Sequence, residues 1–137
     1  MRSFVVDNRR VLMKKLLLED AFDRFLLSEA VIRKGVLFSV DGHKSDGEIA
    51  AYGSLRDLVY RFIQGNKTPS FMKLVLLSPE NLPGVASRSI NILFREDLLT
   101  ITSGFSYSQF VTDRTEEGNW DAWVQCFFAN IDIEFEG

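Results

Sequence analysis

Residues 89–95 and 98–103 are two extended-type runs separated only by Glu96-Asp97, and this link restricts the fold more than any other feature of the chain. In the first run Ile90, Ile92 and Phe94 alternate with Asn91, Leu93 and Arg95, the period of two expected for a strand with one buried face. A two-residue link suits an antiparallel hairpin, whereas parallel strands need a crossover of about a dozen residues or more. A doubly wound parallel sheet is therefore disfavoured.

The remaining segments extend this pattern. Residues 3–6 form a short apolar run, followed by a helical period that places Leu12, Leu16 and Phe22 near one stripe, with Asp7 or Asn8 as N-cap. Residues 29–40 look extended with an interruption at Lys34-Gly35, and the Asp41-Gly42 pair that follows is a hairpin signal. A helix is expected over 54–64, with Ser54 and Asp57 at capping-box spacing, Leu55, Leu58, Val59 and Phe62 as its apolar stripe, and Gly65 beyond its end. Residues 71–77 suit a mostly buried strand. Phe105, Tyr107, Gln109 and Val111 continue an extended alternation after Gly104.

Asn119 offers an N-cap for a last helix carrying Trp120, Trp123, Val124 and Phe127. The chain then closes on strict alternation at 131–136, predicting a half-buried strand with Ile131, Ile133 and Phe135 on one face and three acids on the other. The resulting order, strands interleaved with helices and mostly joined by hairpins, predicts a single α+β domain over residues 1–137, a mainly antiparallel sheet with about three helices packed against it.

Composition narrows the function classes. With 46% apolar and 26% charged residues in 137, disorder and low-complexity structure are excluded. The single cysteine, Cys126, cannot form an internal disulfide, and with only one histidine, His43, no zinc, haem or iron-sulfur ligand set is expected. No cofactor and no metal are predicted. Cys126 sits among apolar residues, so a buried, inert thiol is expected. No apolar run approaches the roughly 18 residues of a membrane span, and Asp7 interrupts the first apolar run too early for a signal peptide. A cytoplasmic protein without a membrane partner is the expectation.

The net charge of −3 conceals an asymmetry. Residues 1–95 hold 15 Lys/Arg against 10 Asp/Glu, a net of +5, whereas residues 96–137 hold 1 against 9, a net of −8. Such a bipolar chain either neutralises itself internally or presents a surface that attracts a charged partner.

Familiar catalytic motifs are missing: there is no GxGxxG and no GxSxG, and Gly65-Asn66-Lys67-Thr68 follows a helix where a phosphate-binding loop follows a strand. The densest polar group is Asp41-Gly42-His43-Lys44-Ser45-Asp46-Gly47-Glu48. If it carries chemistry, a small hydrolase or transferase would use His43 as acid or base, with Asp41, Asp46 or Glu48 orienting it or holding a metal. Turns are rich in these residue types for backbone reasons alone. Arg9, Arg10, Lys14 and Lys15 could track a phosphate backbone, although the acidic C-terminal third disfavours nucleic acid and basic residues on an amphipathic helix ordinarily form its solvated side. Trp120 and Trp123, three apart, read first as core anchors. The favoured reading is a noncatalytic binding or protein-interaction module. Ile131, Ile133 and Phe135 mark an edge strand that could pair with a second copy or a protein partner, although pairing inside its own sheet is the first expectation.

The segments at 21–30 (AFDRFLLSEA), 40–43 (VDGH), 67–73 (KTPSFMK) and 120–123 (WDAW) together resemble a family of small proteins of unknown function from Clostridia-type Firmicutes. The resemblance implies a bacterial cytoplasmic origin, and the family supplies no activity, cofactor or catalytic residue to carry over. The element order is also similar to one domain of a DNA sliding clamp, a likeness of fold alone that would make the chain a nucleic-acid-binding, clamp-like domain.

Overall fold

The computed structural model describes residues 1–136. The elements run β1 (Ser3–Val5), α1 (Arg9–Leu17), β2 (Leu26–Lys34), β3 (Val36–Asp41), α2 (Tyr52–Ile63), β4 (Phe71–Leu77), β5 (Val85–Arg95), β6 (Leu98–Tyr107) and α3 (Thr115–Asn130). Six strands form one antiparallel sheet in the order β1-β6-β5-β4-β2-β3. The chain is thus a compact α+β domain, as its hairpin links predict.

Register decides which face is buried. Leu74 lies opposite Ile92 and Leu76 opposite Ile90, while Ile92 is also opposite Ile101. All five side chains are fully buried in one core with Leu12 and Leu16 of α1, Val59 of α2, and Val124 and Phe128 of α3. The alternate residues of β4, Phe71, Lys73, Val75 and Leu77, are only partly covered. Burying an aliphatic side chain of this size contributes about 1.5–3 kcal/mol, so this one-sided pattern fixes the register.

The β5–β6 hairpin turns at Glu96-Asp97 as expected, both with positive φ (53° and 63°), the conformation of a tight hairpin turn matched to strand twist. Several local expectations need correction. The β2–β3 hairpin turns at Gly35, whose φ is +82°, and not at Asp41-Gly42. Gly42 instead donates its N–H to Ser28 O, and its carbonyl accepts from Ala50 N. Helix α1 stops at Leu17, so Phe22 reaches the core from the following turn. Helix α2 begins at Tyr52, and the Ser54 hydroxyl donates to Ala51 O at 2.7 Å in place of a capping box. Strand β6 runs through Gly104 and ends at Tyr107, before Gln109 and Val111.

Helix α3 begins at Thr115, not beside Asn119: Arg114 takes the N-cap position without a side-chain cap, and Asp113 Oδ1 accepts from both the Thr115 N–H (2.9 Å) and its hydroxyl (2.6 Å). The helix continues to Asn130, Asp132 takes φ +67°, and what remains of the anticipated final strand is one antiparallel bridge, Val6 to Phe135. Trp120 is buried and donates its indole N–H to Ser89 O at 3.0 Å, whereas Trp123 is 40% exposed. Cys126 is exposed on α3, which corrects the expectation of a buried thiol.

Candidate functional site

A cleft of about 640 Å³ lies between α1, the last turn of α2 and the sheet. Its floor is apolar: Met72 from β4, Phe94 from β5 and Leu99 from β6. Met13 and Leu17, four apart on α1, share the same helix face and form one wall, and Tyr60 and Ile63 of α2 form the other. Thr68 and Pro69, at the edge of the segment considered above as a phosphate loop, close a third side.

Its rim is cationic. Arg9, Arg10 and Lys14 all line the cleft, Arg10 and Lys14 being one helical turn apart. Arg9 is held by Asp97, with Nη1 at 2.9 Å from both Oδ1 and the backbone carbonyl, and its guanidinium stands 5.9 Å from the centre of the Phe94 ring. Lys14 is 4.0 Å from Glu19, at the limit of an ion pair. Arg10 forms no ion pair among the described residues. Lys15, the fourth basic residue, is not among the lining groups and pairs with Glu19 at 3.3 Å. Three of the four cations noted in the sequence thus meet at one cleft, and the apolar groups they surround come from five elements: α1, α2, β4, β5 and β6.

Residues 41–48 are organised locally. Asp41 Oδ1 accepts the His43 backbone N–H at 2.9 Å and lies 2.7 Å from His43 Nδ1, and Asp46 Oδ1 accepts the Glu48 N–H at 2.9 Å. These hydrogen bonds hold the Asp41 carboxyl below its ordinary value, the backbone donor contributing most. All four candidate side chains are exposed. Of the four, only Glu48 borders a second, smaller hollow of about 310 Å³, whose far side is residues 77–81 and 85–88. Among the described residues, no three His, Cys, Asp or Glu side chains converge as metal ligands would.

The third group behaves differently again. Ile133 is buried, and Ile131 and Phe135 pack against the core, Phe135 stacking on Phe4 with ring centres 4.7 Å apart. Their backbone is already engaged, with Glu136 N donating to Val5 O at 2.9 Å and Asp7 N to Glu134 O at 2.7 Å. Asn8, the N-cap residue of α1, spends its side chain on this tail, donating to Asp132 O at 2.7 Å and accepting from Glu134 N at 2.8 Å.

No described helix is long and apolar enough to cross a membrane. No curated protein and no solved structure matches the chain. A family model does match, over residues 15–136: the chain belongs to a family of unknown function, DUF5721.

Proposed function

We propose that this member of the DUF5721 family is a noncatalytic binding module whose cleft takes an amphipathic anion, a compact apolar body carrying a carboxylate, sulfonate or phosphate head. The observation that carries the reading is the pairing of an apolar floor (Met72, Phe94, Leu99) with a rim of Arg9, Arg10 and Lys14. Its volume falls within the roughly 300–1,000 Å³ typical of small-ligand sites, which combine apolar walls with a few placed polar groups. An apolar body gains from leaving water, and a guanidinium or ammonium at the mouth offers charge-assisted hydrogen bonds to an anionic head. The bacterial cytoplasmic setting implied by the family resemblance is part of the same proposal, and so is the absence of catalysis.

The test is a fluorescence titration with 8-anilinonaphthalene-1-sulfonate, followed by displacement with dodecanoate and with dodecyltrimethylammonium. Displacement by the carboxylate and not by the ammonium is expected, with Arg10→Glu/Lys14→Glu weakening the anionic probe about tenfold or more, the size of one to two lost charge-assisted contacts. Equal displacement by both surfactants, or a titration untouched by the double reversal, overturns the reading. Tight binding of short DNA or RNA at about 50 mM salt, lost in the same variant, would replace it with the nucleic-acid alternative. The hydrolase or transferase alternative places its chemistry at His43 with Asp41, Asp46 or Glu48, and so predicts that His43→Ala abolishes a turnover the cleft variants leave intact.

A further inference from the structure

The sheet has two edges, and they are finished differently. At one, β1 is only three residues long and is covered by the C-terminal segment through the Val6–Phe135 bridge. At the other, β3 pairs with β2 alone. Gly42 N donates to Ser28 O, which sets the alternation along β3: residues 36, 38 and 40 turn their N–H and C=O groups toward β2, and Leu37, Ser39 and Asp41 turn theirs away. Among the described residues, none of these outward backbone groups has a hydrogen-bond partner.

An open edge is ordinarily blunted by lysine, proline or a bulge. Strand β3, with the sequence VLFSVD, has none of these, and its register against β2 is unbroken. Its only charge is Asp41 at the end. Val36 (62%) and Leu37 (53%) are among the most exposed large apolar side chains of the chain, and they stand on opposite faces of the strand. Beside them on the helix side, Phe38 stacks on Phe62 of α2 at 4.8 Å, and Leu58, one helical turn before Phe62, is also exposed. The edge is therefore backbone donors and acceptors flanked by apolar surface above and below.

We propose that β3 is the interface through which two copies of this chain join, antiparallel about a two-fold axis at Ser39, into one continuous sheet. The occupant is a second copy because the strand's single charge, Asp41, lies off the two-fold axis and so meets no like charge when the strand pairs with itself. Pairing about Ser39 sets Leu37 opposite the second copy's Asp41, so no like charges meet across the strand pair, and Val36 and Leu37 are covered at each end of it. A positively or negatively charged partner strand would find no matching charges along VLFS. This interface is independent of the cleft and lies at the sheet edge opposite β1.

Light scattering after size exclusion, over a concentration series of the full chain, tests it. A shift toward twice the 15.7 kDa chain mass is expected as concentration rises. Ser39→Pro removes an outward N–H at an edge position where proline is tolerated and should return the mass to that of one chain. The register gives a second, independent reading. Leu37→Glu sets an acid against the second copy's Asp41 and should also give single chains, whereas Leu37→Lys sets opposite charges there and should keep the dimer. Circular dichroism identifies folded variants. A wild-type chain that stays single at millimolar concentration overturns the proposal, and so does a dimer that persists in folded Leu37→Glu or Ser39→Pro. Dissociation by Leu37→Lys and Leu37→Glu alike overturns the Ser39-centred register.

Discussion

Arg9 joins the first turn of α1 to the β5–β6 turn by placing one nitrogen 2.9 Å from both the carbonyl and the carboxylate of Asp97. The two residues are 88 apart in sequence and lie on opposite sides of the charge boundary, so the basic and acidic parts of the chain meet here. Both side chains are largely solvated, and such pairs contribute about 0–1 kcal/mol to stability. The contact matters more for the cleft, because Asp97 itself lines it and offsets one of three cations at its mouth. Asp97→Asn keeps a residue that tolerates the positive φ of this turn while releasing Arg9. Urea unfolding should change by less than about 1 kcal/mol, while 8-anilinonaphthalene-1-sulfonate binds more tightly than to the wild-type chain. Weaker binding in a chain of unchanged stability would remove Arg9 from the anion-binding rim.

Tyr52 opens α2, yet its hydroxyl reaches α1, donating to Leu16 O at 2.9 Å in a fully buried contact. Leu16 is in the last turn of α1, where carbonyls lack helical partners, so a side chain from α2 satisfies the end of α1. The same burial holds the phenol far above its ordinary range, and it stays protonated at every physiological pH. Tyr52→Phe keeps the ring and orphans the carbonyl. A loss of about 1–3 kcal/mol is expected in chemical unfolding, without a change in the fold seen by circular dichroism. A loss below the error of the measurement would mean that water replaces the phenol at Leu16.

Two glycines of the same polar segment should respond oppositely. A Cβ on Gly42 would overlap the backbone carbonyl of Leu27, which β2 holds in place, whereas a Cβ on Gly47 meets nothing within 4 Å. Gly47 has φ +89°, so alanine there costs backbone strain of about 1–2 kcal/mol and no collision. Gly42→Ala must displace a strand and should prevent folding or cost well over about 3 kcal/mol, in line with overpacking at a backbone contact. Thermal unfolding of the two variants side by side reads the difference, and equal melting temperatures would contradict the close approach.

How far these features were legible depends on how local their causes are. The β5–β6 hairpin was readable because Glu96 and Asp97 make the turn themselves. Strand β4 was readable because its apolar run ends at Pro79, and each strand beside it satisfies its backbone. The alternation at 131–136 correctly foretold which side chains turn inward, and it misled about the backbone, because α3 runs on to Asn130 and only the Val6–Phe135 bridge remains. Arg10 and Lys14 could be placed on one helix face from their spacing alone. The cleft they rim was invisible, since Met13, Tyr60, Met72, Phe94 and Leu99 come from five separate elements and no local pattern joins them. The unpaired edge was equally hidden, because nothing within VLFSVD reveals that β3 ends the strand order.

The Asp41–His43 pair yields a pH prediction whose sign separates its possible roles. The carboxylate accepts two hydrogen bonds from one residue, and the backbone donor, which lowers its pKa most, cannot be removed by changing the His43 side chain. With the folded pKa below the ordinary 3.8, the ionised form is the one the fold favours. Its contribution is therefore complete above the unfolded value and is lost as pH falls through the lowered folded value. Carbon-13 NMR of the side-chain carboxyl should place the Asp41 midpoint below that of a free aspartate. His43→Ala should move it only part of the way back, since the residue 43 N–H still donates. A midpoint at or above 3.8 would contradict the geometry, and full reversion in His43→Ala would assign the effect to the imidazole. Held this low, Asp41 is ionised throughout the neutral range. It can orient an imidazole or attract a cation, but it carries no proton to donate.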